Sequence, residues 1–164
     1  MMETPRSLPA LAPDLPFKFV GGRPSLDLLN TADWPATGPA ADRLSSYERL
    51  LEWAVEAGVL DAAPAGRLKR RAAAEPAGAG RALERGRELR RTLHRAVVAT
   101  VAGRGVTAAA DRLTPFVHDA LGHLVLEPAL PGAVGLRAGW SGLDASLDGP
   151  MWPVVWDAVQ LFLS

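Results

Sequence analysis

The sequence predicts an α+β fold: a mainly α-helical domain with a small antiparallel sheet. Three observations lead there. From Arg81 to Val101, apolar residues recur at helical spacing. His123–Glu127 and Val134–Trp140 instead alternate apolar and polar, and the Pro128–Gly132 connection between them reads as a hairpin. Phe17–Val20 alternates as well. A lone hairpin is marginally stable, so this N-terminal strand is the expected third partner, which would bring the two ends of the chain together.

Taken in order, Met1 to Pro16 carries Pro5, Pro9, Pro13 and Pro16 without periodicity and reads as a disordered arm, leaving residues 17–164 as a single domain. Gly21-Gly22 ends the first strand. Ser25 can then cap a short helix in which Leu26 and Leu29 share a face. Trp34-Pro35 and Gly38-Pro39 mark a loop up to Leu44. Ser45-Ser46-Tyr47-Glu48 resembles a capping box, and the helix behind it places Tyr47, Leu50, Leu51, Ala54 and Val55 on one face, with Gly58 as its stop. A helix from about Asp61, with Pro64 in its first turn, ends before Pro76. Glu75 to Gly80 is small-residue sequence that reads as a connection.

The longest helix follows, closed by Gly103, with Leu83, Leu89, Leu93, Val97 and Val101 as its stripe. Arg90 falls within that stripe and His94 at its margin. Thr107 can cap a short helix to Leu113, which Thr114-Pro115 kinks or restarts. After the hairpin and the loop Ser141–Gly149, Pro150 opens a terminal helix with Trp152, Val155, Trp156, Val159, Phe162 and Leu163 on one apolar face, expected to meet the core or a twin subunit.

Composition narrows the function. The chain has 164 residues, 48% of them hydrophobic and 22% charged, enough for one buried core. The formal net charge is zero, so the molecule as a whole has no bias toward nucleic acid or an anionic membrane. Without cysteine there is no disulfide, thiol nucleophile or cysteine-bound zinc. His94, His118 and His123 lack metal-ligand spacing, so no metal and no cofactor is expected. No apolar run spans a bilayer and no signal peptide is evident, so a cytoplasmic protein with no membrane partner is the expectation.

Few residues point to chemistry. Gly21-Gly22 before a helix resembles a phosphate loop, but the fuller glycine fingerprints are missing and a turn suffices. Asp27 and Asn30 are neighbours on a helix; they either brace the fold or, with Thr31, serve a ligand. Arg67, Lys69, Arg70, Arg71, Arg81, Arg85, Arg87, Arg90, Arg91 and Arg95 form a basic run with no interleaved aromatic, which reads as a solvated surface more than as a nucleic-acid face. Arg90 on an apolar stripe needs an acceptor, and Asp27 needs a donor. The expectation is that the two meet, with Asn30 beside them.

Phe19-Val20-Gly21-Gly22 followed by Leu26-Asp27-Leu28-Leu29-Asn30-Thr31 resembles the "G…LDFxNT" opening of the ABATE domain. That domain is the N-terminal part of bacterial CGNR zinc-finger proteins, described as stress-induced transcription regulators. Leu50-Leu51-Glu52-Trp53 through Ala57-Gly58, Leu89-Arg90, and the final Asp157-Ala158-Val159-Gln160-Leu161 are similar to later family segments. The family's finger needs cysteines that this chain lacks. Where the family has a leucine-asparagine pair, this chain reads Leu113-Thr114-Pro115.

The resemblance implies a ligand- or partner-sensing domain of a transcription regulator whose DNA-binding zinc finger is absent from this chain, so that it would not bind specific DNA alone. Asp27, Asn30, Thr31 and Arg90 are the candidate ligand-binding residues, for a small molecule. The alternatives are a structural or dimerisation module with no ligand and, last, a small hydrolase-like enzyme; the partners to expect are the small molecule and a second copy of the chain, in a homodimer through the terminal helix.

Overall fold

The computed structural model describes residues 15–35, 41–132 and 134–164. Their elements are α1 (Pro24–Leu29), α2 (Tyr47–Glu56), α3 (Ala62–Ala74), α4 (Pro76–Val101), α5 (Thr107–Leu121), β1 (Leu124–Pro128), β2 (Leu136–Trp140) and α6 (Trp152–Leu163). The expected mainly helical α+β class is the one observed. Most of the proposed arm, residues 1–14, and part of the loop before Leu44, residues 36–40, lie outside the described residues.

Helix α4 is the axis. α1, α2, α3 and α5 all pack on it, while α6 lies against α5 and α1. The first part of its stripe is core: Leu83, Leu89 and Leu93 are buried together with Leu28, Leu50, Trp53, Leu68 and Val154, whereas Val97 is half-buried and Val101 is exposed. Gly86 allows α2 close to α4, since a Cβ there would stand 2.9 Å from Leu50 Cδ1. The helix starts earlier than its composition suggests, at Pro76, a residue whose missing N–H costs nothing at a first helical position. Only Glu75 separates it from α3. Likewise α5 is one continuous helix with Pro115 inside it, and Thr107 is its first residue rather than its cap. Helix α2 is capped by Ser46, whose Oγ accepts from Arg49 N at 3.1 Å.

The sheet differs from expectation. It has two strands among the described residues, β1 and β2, antiparallel with Leu124 opposite Trp140 and Pro128 opposite Leu136. Phe17–Val20 does not join it. The backbone just before it is met by side chains: Arg43 Nε donates to Pro16 O at 3.0 Å and Arg49 Nη2 to Leu15 O at 2.8 Å. The Arg49 guanidinium also lies over the Phe17 ring at 4.1 Å. The hairpin is anchored at its base, where His123 stacks on Trp152 at 3.7 Å and the Trp152 indole donates to Asp119 Oδ2 at 3.1 Å.

The ends of the domain do approach, by another route. Arg23, the residue before α1, donates through Nε and Nη2 to the Asp157 carboxylate of α6 at 2.9–3.2 Å. The same carboxylate accepts from Ser25 N at 2.9 Å. A carboxylate from the last helix therefore does the capping that Ser25 was expected to do, with the charge sign that a helix N-terminus favours. Burial would push the Asp157 carboxyl up; Arg23 and Ser25 outweigh it and hold it below the usual range.

Asp157→Ala is expected to cost about 1–2 kcal/mol, the worth of a helix cap, and to speed amide exchange at Ser25. Urea unfolding within about 0.5 kcal/mol of wild type, the usual surface value, would count against this tie.

Candidate functional site

Two places on the molecule combine unusual chemistry with position: a closed polar centre on α4 and an open apolar groove at the far end of the same helix.

The polar centre is built on Arg90, which is 4% exposed. Nη1 donates to Thr31 Oγ1 at 2.9 Å and to Asp42 Oδ1 at 2.8 Å; Nη2 donates to Asp42 Oδ2 at 2.6 Å. This is the paired fork geometry that suits a guanidinium and a carboxylate. Thr31 passes the chain of bonds on, its hydroxyl donating to Leu28 O at 2.6 Å. Asp42 Oδ1 also accepts from Leu44 N at 2.9 Å, and Arg87 donates to Leu44 O at 2.7 Å. Backbone bonds from Arg43 N to Thr31 O and Asp33 N to Ala41 O close the segment onto itself. Burial would raise the Asp42 carboxyl; the Arg90 bonds and charge, with Leu44 N and Arg87, outweigh it and hold it below the usual range.

Trp34 covers this centre. Its ring stacks on His94 at 3.9 Å and lies 5.9 Å from the Arg90 guanidinium carbon, while its indole N–H donates to Leu29 O at 2.8 Å. Burial, then Arg95, keeps the His94 imidazole below its ordinary pKa. The Arg90 Nε is buried without a partner.

Arg90 does not meet Asp27, its expected partner. Asp27 is buried but accepts from Gly21 N at 2.7 Å, not from Arg90. Gly21 is needed there, because a Cβ would stand 2.6 Å from Leu26 Cβ. Asn30 is half-buried and ends α1, its N–H bonded to Asp27 O at 3.2 Å. Of the sequence candidates only Thr31 and Arg90 are joined through their side chains. The acid that completes the pair, Asp42, lies in a loop without periodicity, so nothing local marked it. The basic run is also quieter than it reads. Arg67, Lys69, Arg71, Arg85, Arg87 and Arg91 each pair with an acid, drawn in part from Glu48, Asp119 and Asp144 outside the run.

The groove lies where the C-terminal turns of α4, the first turns of α5 and the end of α6 meet. Its volume is about 770 Å³, and Val97, Val101, Val106, Leu113, Leu161 and Phe162 line it. It exists because Ala109 and Ala110 face it from α5, and such small side chains leave the space between α4 and α6 unfilled. The terminal helix was expected to bury Trp152, Val155, Trp156 and Val159. Trp152, Val154, Val155 and Ala158 are the buried set, Trp156 and Val159 are half-buried, and Leu163 is 82% exposed. A smaller cavity of about 210 Å³ continues between α5 and α6, sharing Leu113 and Phe162.

A family model for ABATE, described as "Putative stress-induced transcription regulator", matches residues 22–164. The chain belongs to the ABATE family. No curated protein and no solved structure matches it. In this ABATE domain the opening segment and the Leu89-Arg90 segment are one unit in space, since Thr31 of the first receives a hydrogen bond from Arg90 of the second. None of Asp27, Asn30, Thr31 and Arg90 lines the groove, although Leu26 does. Among the described residues no three histidine, aspartate or glutamate side chains are placed to hold a metal ion, and no helix is long and apolar enough to cross a membrane.

Asp42→Ala is expected to cost about 3–5 kcal/mol, because it strands a buried guanidinium. Asp27→Ala, which loses a bond to one backbone N–H, is expected to cost about 1–2 kcal/mol. The Asp42 contribution is full above its unfolded pKa of about 3.9 and is lost as pH falls through its lower folded value. Urea titrations of both variants from neutral pH downward check this; a larger loss for Asp27→Ala would place the brace wrongly.

Proposed function

We propose that this ABATE domain is the sensing part of a transcription regulator, and that the groove between α4, α5 and α6, not the Arg90 centre, receives the small molecule. The observation that carries the reading is the groove itself. Its volume of about 770 Å³ falls within the range of small-ligand sites, and its lining is apolar with few polar groups. The Arg90 centre is a poor receiver, since two of the guanidinium nitrogens are already taken by Asp42 and Thr31. The family description supports a regulator over an enzyme, and the described residues offer no assembled nucleophile and base in the groove. The chain holds no cysteine from which to build a zinc finger, so on this reading the DNA-reading function belongs elsewhere.

Nile red, a neutral dye whose emission rises in apolar surroundings, tests the site. The expected result is saturable binding by the wild-type chain and at least tenfold weaker binding by Ala110→Trp, whose bulk would fill the groove. Circular dichroism would verify that the variant is folded. Equal binding by folded Ala110→Trp would remove the groove as the receiving site.

A second reading has one specific observation behind it. Phe162 is 37% and Leu163 82% exposed at the end of α6, a surface that a twin subunit could cover. Sedimentation equilibrium separates the readings. A receiving site predicts a monomer that binds the dye, whereas a dimer seat predicts a dimer that Leu163→Asp dissociates.

A further inference from the structure

We infer that the groove takes an amphipathic molecule with an apolar tail and one anionic head, and that Arg104 recognises the head; this rests on the groove being the receiving site. The groove's few polar groups point to this occupant. Of the lining side chains, only Thr100, Arg104 and Ser164 can hydrogen-bond. Thr100 Oγ1 is committed to Ala96 O at 2.9 Å and Ser164 Oγ to Leu161 O at 2.9 Å. No acidic side chain lines the groove. The Arg104 guanidinium is therefore the side-chain donor left to a ligand.

Its place is fixed by the backbone. Helix α4 ends in a tight closure in which Gly103, at φ 61°, donates to Thr100 O and Arg104 N donates to Ala99 O at 2.8 Å. That 6→1 closure is a common way to end a helix, and here it sets Arg104 at the groove's edge while Val101 and Val106 flank it. A guanidinium held beside an apolar wall matches a carboxylate or phosphate joined to a hydrocarbon chain. A cationic amphipath would meet repulsion from the same group, and an uncharged alcohol would gain only a weaker hydrogen bond from it.

Displacement of Nile red by a matched series tests this: decanoate, decyl phosphate, decanol and decyltrimethylammonium, each below its micelle concentration, against wild type and Arg104→Gln. The expected result is displacement by the anions at about tenfold lower concentration than decanol, with the cation weakest. Arg104→Gln should abolish the advantage of the anions and leave decanol unchanged. The ratio of decanoate to decyl phosphate distinguishes a carboxylate from a phosphate head. Equal displacement by decanoate and decanol, or an anion preference that survives Arg104→Gln, would overturn the assignment of Arg104 while leaving the groove as a binding site. Failure of every member to displace bound dye would overturn the amphipath itself. Absence of dye binding to the wild-type chain would overturn the groove reading on which this rests.

Discussion

A charged side chain on the apolar stripe of α4 dictates much of the architecture around it. Arg90 cannot be left unpaired at 4% exposure, because an uncompensated buried charge costs several kcal/mol. The segment after α1 supplies its acceptors, Thr31 and Asp42, and to do so it must turn back across α4. Once there, it is clipped by Arg43 N to Thr31 O and by Arg87 to Leu44 O. Trp34 is carried over His94 by the same turn. Leu44 then enters the core and leads directly into α2. One misfit residue in a helix thus ties down both described ends of the segment between the first two helices.

Legibility followed local rules and stopped where partners were remote. The need of Arg90 for an acceptor could be read from its spacing against Leu83, Leu93 and Val97. Thr31 was legible through the opening motif. Asp42 was not, because a loop has no period to mark which side chain turns inward. Phe17–Val20 has the alternation of a strand but pairs with none, while Arg43 and Arg49 hold the carbonyls of Pro16 and Leu15 just before it, a reach no pattern reports. The start of α4 was hidden by Gly78 and Gly80, weak helix formers that a proline-first helix with buried Ala79 and Ala82 tolerates. The groove was invisible for another reason. The end of α6 has the composition of a core face, and sequence alone cannot tell a filled interface from one with small residues opposite.

The two notable regions share α4 without overlapping. Arg90 and Val101 are about 16 Å apart along the helix at 1.5 Å per residue. Near the first, Arg90, Arg43 and Arg87 each have an acid or a carbonyl as partner; among the described residues lining the second, Arg104 is the one charged side chain between apolar walls. The first arrangement resists change and the second invites an occupant. A ligand in the groove would touch α4, α5 and α6 together, and α6 reports directly to α1 through Asp157 and Arg23.

That last contact joins residues 134 positions apart. A bond of such sequence separation closes nearly the whole chain into a ring, and it can form only after the intervening helices have collapsed. Its loop-closure entropy must be met late on the folding route, so it is expected to be absent from the transition state. Interactions of that kind leave the folding rate almost untouched and lengthen the lifetime of the native state. The clasp between the first and last helices therefore acts chiefly as a brake on unfolding, and loosening α6 would release it.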